Sequence, residues 1–211
     1  MDSPVIYTVG HSTHHIDYFL ELLREYGINC VIDVRSVAAS SYNPQYNEEP
    51  FKNFLKNNKI TYLHFAEEFG ARQTDPDLLG EKGKVDFEKV RESWSFNNGI
   101  EMVRQNGKKG YVMAIMCSES EPLDCHRFSM VSVGLEDDGF KVKHILKDKS
   151  LKTNEDLKNE LLNKFKKKLP QIDLFNPNIT TEDLLKVAYR LENQEIGFAL
   201  NSNTKKEENY D

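Results

Sequence analysis

Apolar residues in this chain fall into short β-rich runs separated by stretches of helical spacing. Val5 to Val9 is such a run and ends at Gly10-His11-Ser12-Thr13; Ile16, Phe19, Leu20, Leu22 and Leu23 then recur at helical intervals up to Gly27. Cys30 to Val34 predicts a second strand, followed by a polar loop from Ser36 to Asn47 with Asn43-Pro44 as its turn signal. Phe51, Phe54 and Leu55 mark a second helix, and Ile60 to Phe65 a third strand. Residues 66–85 carry Gly70, Pro76, Gly80 and Gly83 and read as loop. Val85 to Gln105 predicts a longer third helix, broken near Asn97-Asn98-Gly99. Tyr111 to Met116 is a continuous apolar run, the pattern of a strand buried on both faces. Pro122 is expected to open a fourth helix running to about Leu135. Asp137-Asp138-Gly139 turns the chain into a fifth strand, Phe140 to Ile145.

Strands alternating with helices predict an α/β chain with a mostly parallel five-stranded sheet covered on both faces. Helical periodicity returns at 155–168 and 180–192, with Asp173 to Ile179 joining the two through Pro177. A core over 1–148 is therefore expected to carry a helical C-terminal extension over 149–200. Leu161, Leu162 and Phe165 should be buried in that contact, with Leu184, Leu185 and Val187 nearby. The polar residues 201–211 are expected to form a disordered tail.

Composition narrows the classes. At 211 residues the chain is long enough to bury a core without disulfide or metal staples. Its longest apolar stretches are far too short to span a bilayer, and no secretory signal is visible, so no membrane partner is expected. Three cysteines that do not form a disulfide pattern point to a reducing cytoplasm. The balance of 28 basic against 34 acidic residues, net −6, disfavours a general nucleic-acid coat, whose affinity would rest on neutralising phosphates. Residues 151–168 hold six Lys against Glu155, Asp156 and Glu160, which reads as a solvated helix face.

In open parallel sheets ligands bind beyond the carboxyl ends of the strands, and the ionisable residues collect there. Strand one ends in Gly10-His11-Ser12, strand two in Asp33-Val34-Arg35 and strand three at His64. Strand four ends in Cys117-Ser118-Glu119 and leads into Cys125-His126-Arg127. Asp33 and Arg35, two apart on a strand, share a face. Arg35 and Arg127 are candidate anion binders, and Asp33, Glu119 and His11 candidate acid/base groups. Cys117, before an expected helix N-terminus, is an optional nucleophile. Each has a plainer role: Ser12 as a helix cap, His11 as a structural histidine, Asp33–Arg35 and Glu119–Arg127 as bracing ion pairs, Cys117 as core. Cys125, His126 and Arg127, consecutive on an expected helix, would fan out about 100° apart, so Arg127 and one neighbour are expected to face the site. Zinc would recruit Cys117, Cys125, His126 and His11, but the eight-residue step between the cysteines is not the close pairing usual in structural sites. The expectation is no metal and no cofactor, and no nucleotide-binding glycine fingerprint is present.

Several blocks occur in order: Thr8-Val9-Gly10-His11-Ser12, Val31-Ile32-Asp33-Val34-Arg35-Ser36, Tyr42-Asn43-Pro44-Gln45-Tyr46-Asn47, Glu68-Phe69-Gly70, Met116-Cys117-Ser118-Glu119, Pro122 and Cys125-His126-Arg127. With them, residues 5–146 resemble the family called domain of unknown function 488. Val142 to Ile145 resembles its last strand, and Asp173-Leu174-Phe175 and Ala188-Tyr189 resemble the extension of a longer subgroup. Ala38, Ser41 and Ala71 depart from the family's usual proline, basic residue and glycine, leaving the loop after strand two less basic. The resemblance implies a three-layer Rossmann-like fold and a shared polar site, and supplies no reaction. The residues together point to an enzyme acting on a nucleotide or nucleic-acid-derived substrate, with Gly10, Ser12, Arg35, Cys125, His126 and Arg127 binding it. The competing reading is a non-catalytic module for nucleic acid or a small anion.

Overall fold

A computed structural model describes residues 3–171 and 178–200. The expectations for Asp173-Leu174-Phe175, the Pro177 junction and the 201–211 tail lie outside those residues. Six strands form one sheet in the order β3-β2-β4-β1-β5-β6. They are β1 (Val5–Gly10), β2 (Cys30–Asp33), β3 (Thr61–His64), β4 (Met113–Cys117), β5 (Lys141–Ile145) and β6 (Leu151–Thr153). The first five are parallel, and β6 pairs antiparallel with β5, Lys143 opposite Thr153. The sixth strand corrects the expected five. It is three residues long and follows a tight turn in which Leu146 N–H donates to Ser150 O at 2.9 Å, too short a run to register as a hydrophobic period.

The apolar positions split as alternation requires. Val9, Val31, Ala114 and Met116 point to one face and pack with Phe19, Leu22 and Leu23 of α1 (Ile16–Glu25) and Phe51 and Leu55 of α2 (Glu48–Asn57). Ile6, Ile32, Ile115 and Cys117 point to the other, against Phe87 and Val90 of α4 (Phe87–Glu92), Phe96 and Val103 of α5 (Trp94–Lys108) and Leu135 of α6 (Val133–Asp137). Two apolar clusters on opposite sides of one sheet make the three-layer α/β fold. β4 is buried at all five positions because it lies between β2 and β1.

Two helix boundaries differ from expectation. The long third helix breaks at Ser93, not at Asn97-Asn98-Gly99: Ser93 is extended and its side chain accepts from Phe96 N–H, capping α5. The helix after β4 does not open at Pro122. It starts at His126, and Arg127–Ser132 form a π-helical turn ahead of α6, with the Ser132 hydroxyl donating to Arg127 O at 2.6 Å. Such turns concentrate at functional sites.

Beyond β6, α7 (Asn154–Phe165) and α8 (Thr181–Ile196) each begin with a capping box, Thr153/Asp156 and Thr180/Asp183. A short α3 (Ala66–Phe69) packs beneath α5. Leu157, Leu161 and Phe165 are buried with Ala188 against Phe128, while Leu162, Leu184 and Val187 are half-buried around them. Part of the Lys-rich run is engaged within the fold: Lys152 pairs with Glu160, Lys158 with Glu136, and Lys164 with the fully buried Glu192. Among the described residues no helix is long and apolar enough to cross a membrane.

Candidate functional site

β1 and β4 lie side by side at the centre of the sheet, with Gly10 opposite Cys117. Their pairing continues past the strand ends, as His11 N–H donates to Cys117 O and Ser12 N–H to Ser118 O, both at 2.9 Å. A Cβ on Gly10 would lie 1.9 Å from Glu119 O, so only glycine lets the two loops run this close. Ser12 takes a left-handed conformation (φ 48°), and the cap of α1 is His15 rather than Ser12. From the far side Arg127 donates to Glu119 O at 2.7 Å and to Ser120 O at 2.9 Å. The backbone that carries Glu119 is thus clamped between Gly10 and Arg127.

The ionisable residues at the strand ends form two networks, one toward each face of the sheet. Among the described residues no side-chain hydrogen bond joins them. Toward α1 and α2, Asp33 takes a forked contact from Arg35, Nη2 to Oδ2 at 2.5 Å and Nε to Oδ1 at 2.9 Å. It also accepts from the Tyr62 hydroxyl at 2.8 Å. Arg35 Nη2 donates further to Tyr46 O at 2.8 Å, and its Nη1 reaches His11 Nε2 at 3.3 Å. His11 donates from Nδ1 to Ser12 O at 2.8 Å and stacks on Tyr46 with centroids 4.2 Å apart. Burial first, then the Arg35 cation, pull its pKa down to about 4, leaving it neutral at pH 7. Burial raises the Tyr46 and Tyr62 phenols, so both stay protonated. Arg35 is therefore committed to Asp33, and His11 carries no proton to donate from Nε2.

Toward the α4–α6 face, a second network is made by residues that the expected helix would have splayed apart. Cys125 lies in the turn before the helix, so it and His126 both face Cys117. Each Sγ is 3.8 Å from His126 Nδ1. Glu119 Oε2 accepts from Cys117 Sγ at 2.9 Å and from Cys125 Sγ at 3.2 Å. His126 Nε2 donates to Val34 O at 3.2 Å, which leaves the Nδ1 lone pair aimed at the sulfurs. Cys117, Cys125 and His126 are 3%, 2% and 8% exposed, whereas the body of Glu119 reaches solvent. The residue that departs from the expected pairing is Arg127. It is completely buried and binds backbone carbonyls, not the Glu119 carboxylate.

The two thiols titrate as a pair. Cys117 is pushed well up by its hydrogen bond with Cys125 and by burial. Burial works against Cys125 too, but the Cys117 hydrogen bond and the neighbouring Arg127 and His126 outweigh it and bring it down. Cys117, the sequence-based nucleophile candidate, is thus one half of a buried thiol pair and not a lone reactive thiol. Desolvation raises the Glu119 carboxyl, and the Cys125 charge raises it further. Burial opposes protonation of His126, yet contact with Cys125 leaves its pKa raised.

Sequence reasoning missed Tyr46 and Tyr62, which complete the Asp33–Arg35 network. A signal existed for Tyr62, since it shares a face with His64 on the strand paired to β2. Three buried atoms of Cys117, Cys125 and His126 lie within 4.8 Å of one another, a ligand set in the geometric sense that the cysteine spacing did not suggest. The family model described as domain of unknown function DUF488 matches residues 15–133, a span that takes in Asp33, Arg35 and Cys117 through Arg127 but begins after Gly10-His11-Ser12. No curated protein and no solved structure matches the chain.

Proposed function

The chain belongs to the DUF488 family, and from that membership, which brings no reaction with it, we propose that it is an enzyme whose chemistry runs through Glu119 and the Cys117–Cys125–His126 cluster. The observation that carries this reading is the placement of two thiols, an imidazole and a carboxylate within hydrogen-bonding reach at the ends of the central strands. Apolar packing does not assemble such a set, because each polar group costs free energy to bury. The four groups also differ in access. The thiols and the imidazole are buried, and only Glu119 reaches solvent. Glu119 is therefore the proton acceptor for a water or a substrate group, and its raised pKa brings it nearer the range where carboxylates act as bases at neutral pH.

The expectation of a nucleotide or nucleic-acid-derived substrate drew on Arg35 and Arg127 as anion binders. Both guanidiniums are occupied by Asp33 and by backbone carbonyls, so the support left for that substrate class is the location at the strand ends alone. The same occupancy weighs more heavily against a non-catalytic anion-binding module, which has no other feature to rest on. The test is Glu119→Gln against a panel of nucleosides, nucleotides and small amides, with products read by mass spectrometry. Loss of general-base catalysis should lower turnover about 10²–10⁴-fold with little change in melting temperature. A Glu119→Gln protein that turns over the same substrate at the wild-type rate would overturn the reading.

A further inference from the structure

We propose that Cys117, Cys125 and His126 are protein ligands of a divalent cation of the zinc class, with the Glu119 carboxylate beside an open fourth position. The proposal rests on reading this cluster as the functional centre and names what fills it.

The first support is geometric. A tetrahedral ion with metal–sulfur bonds of about 2.3 Å and metal–nitrogen bonds of about 2.0–2.1 Å holds its sulfur and nitrogen ligands about 3.6 Å apart. Both sulfurs stand 3.8 Å from His126 Nδ1, close to that spacing, and all three ligand atoms lie within 4.8 Å of one another. The donor set, two thiols with imidazole, selects a borderline-soft ion over calcium or magnesium, which take oxygen ligands.

The second support is the shell around these atoms. A ligating histidine almost always donates its other ring N–H to a carbonyl or carboxylate, which fixes the tautomer and the ring plane. His126 Nε2 does this toward Val34 O. The unusual eight-residue step between the cysteines is accommodated because Arg127 and Gly10 hold the intervening loop in place.

The third support is access. Three protein ligands leave a fourth position for water or substrate, as in catalytic zinc sites. Glu119, exposed and in contact with both sulfurs, lies beside that position.

The experiment uses the full chain, purified under reductant and stripped with chelator, and titrated with Co(II) alone. We expect one equivalent bound, with the intense visible bands of a tetrahedral site and a thiolate-to-cobalt charge-transfer band. Zinc should abolish both, and the melting temperature should rise with either metal. Cys117→Ser and Cys125→Ser should each weaken the charge-transfer band, while Glu119→Gln should keep it and alter the visible bands. A folded, reduced wild type that takes up neither metal, or that binds cobalt without a thiolate band, overturns the proposal. That readout needs no variant to fold. The two readings also fail separately. Full turnover by the metal-stripped protein defeats the metal and leaves the enzyme standing, whereas metal binding combined with wild-type turnover by Glu119→Gln does the reverse.

Discussion

Replacing His11 by Gln tests the claim that this histidine is a neutral brace and not an acid/base group. In the folded protein its pKa is about 4, against 6.5 for a free histidine, chiefly because it is buried and also because Nε2 faces the Arg35 cation. A base whose folded pKa is depressed contributes its full stability above the unfolded value and loses it as pH falls, because the unfolded chain takes the proton first. At pH 8 neither state is protonated. At pH 5 the unfolded imidazole is almost fully charged and the folded one almost neutral, so the protein is destabilised by about 2 kcal/mol through this residue alone, at about 1.36 kcal/mol per pKa unit. Glutamine can accept from Arg35 through Oε1 but does not titrate. Urea denaturation at pH 8, 7, 6 and 5, followed by circular dichroism, should show His11→Gln weaker than wild type at pH 8 but losing about 2 kcal/mol less on the way to pH 5. Parallel curves for the two proteins, or an NMR titration placing His11 near 6.5 in the folded state, would show that burial does not hold His11 neutral.

His144, held between Thr8 Oγ1 and Asn154 Oδ1 at 2.8 Å each, has its pKa lowered by burial to about 3. His144→Gln should therefore remove a further ~2 kcal/mol of the loss between pH 8 and 5, with the same sign, measured the same way. Gly10→Ala places a methyl 1.9 Å from Glu119 O; it should cost about 1–3 kcal/mol by overpacking and, unlike a purely structural lesion, shift the cobalt spectrum by moving the Glu119 loop. Phe165→Ala empties the contact of the C-terminal helices with Phe128; a loss of about 3–5 kcal/mol is expected, with limited proteolysis now cutting in 149–200 where the wild type resists. Iodoacetamide at pH 7 should label Cys30, whose buried thiol is pushed up to about 12, and Cys117 equally slowly. Rapid labelling of Cys117 by mass spectrometry would contradict its burial and restore it as a nucleophile.

Much of the fold was legible because periodicity is a local property. The short β-rich runs of Val5–Gly10 and Cys30–Asp33 and the continuous Met113–Cys117 run locate strands from composition and length alone, and the intervening helical runs make the sheet parallel and double-covered. β6 escaped because a three-residue hairpin strand has no period to detect. The break at Ser93 escaped because a serine is ambiguous between helix interior and cap until its hydroxyl finds Phe96 N–H.

Strand periodicity alone places His11, Asp33, Arg35, Cys117, Glu119 and the Cys125-His126-Arg127 run at one edge of the sheet, since each ends a strand or opens the segment after one. How those residues divide between the two faces emerges only once the chain is folded. Asp33, Arg35 and His11 turn to the α1–α2 side, where Tyr46 and Tyr62 complete a closed hydrogen-bond network. Cys117, Cys125 and His126 turn to the other side and meet Glu119. Side-chain direction at a strand end depends on the conformation of the loop that follows, and that conformation is set in part by contacts distant in sequence: Gly10 against Glu119 O and His126 against Val34 O, with Arg127 closing on the same Glu119 carbonyl from eight residues on. No window of ten or twenty residues holds both Gly10 and Glu119, or both Val34 and His126, which is why Cys125 read as one of three residues fanning around a helix and became half of a thiol pair when the chain closed.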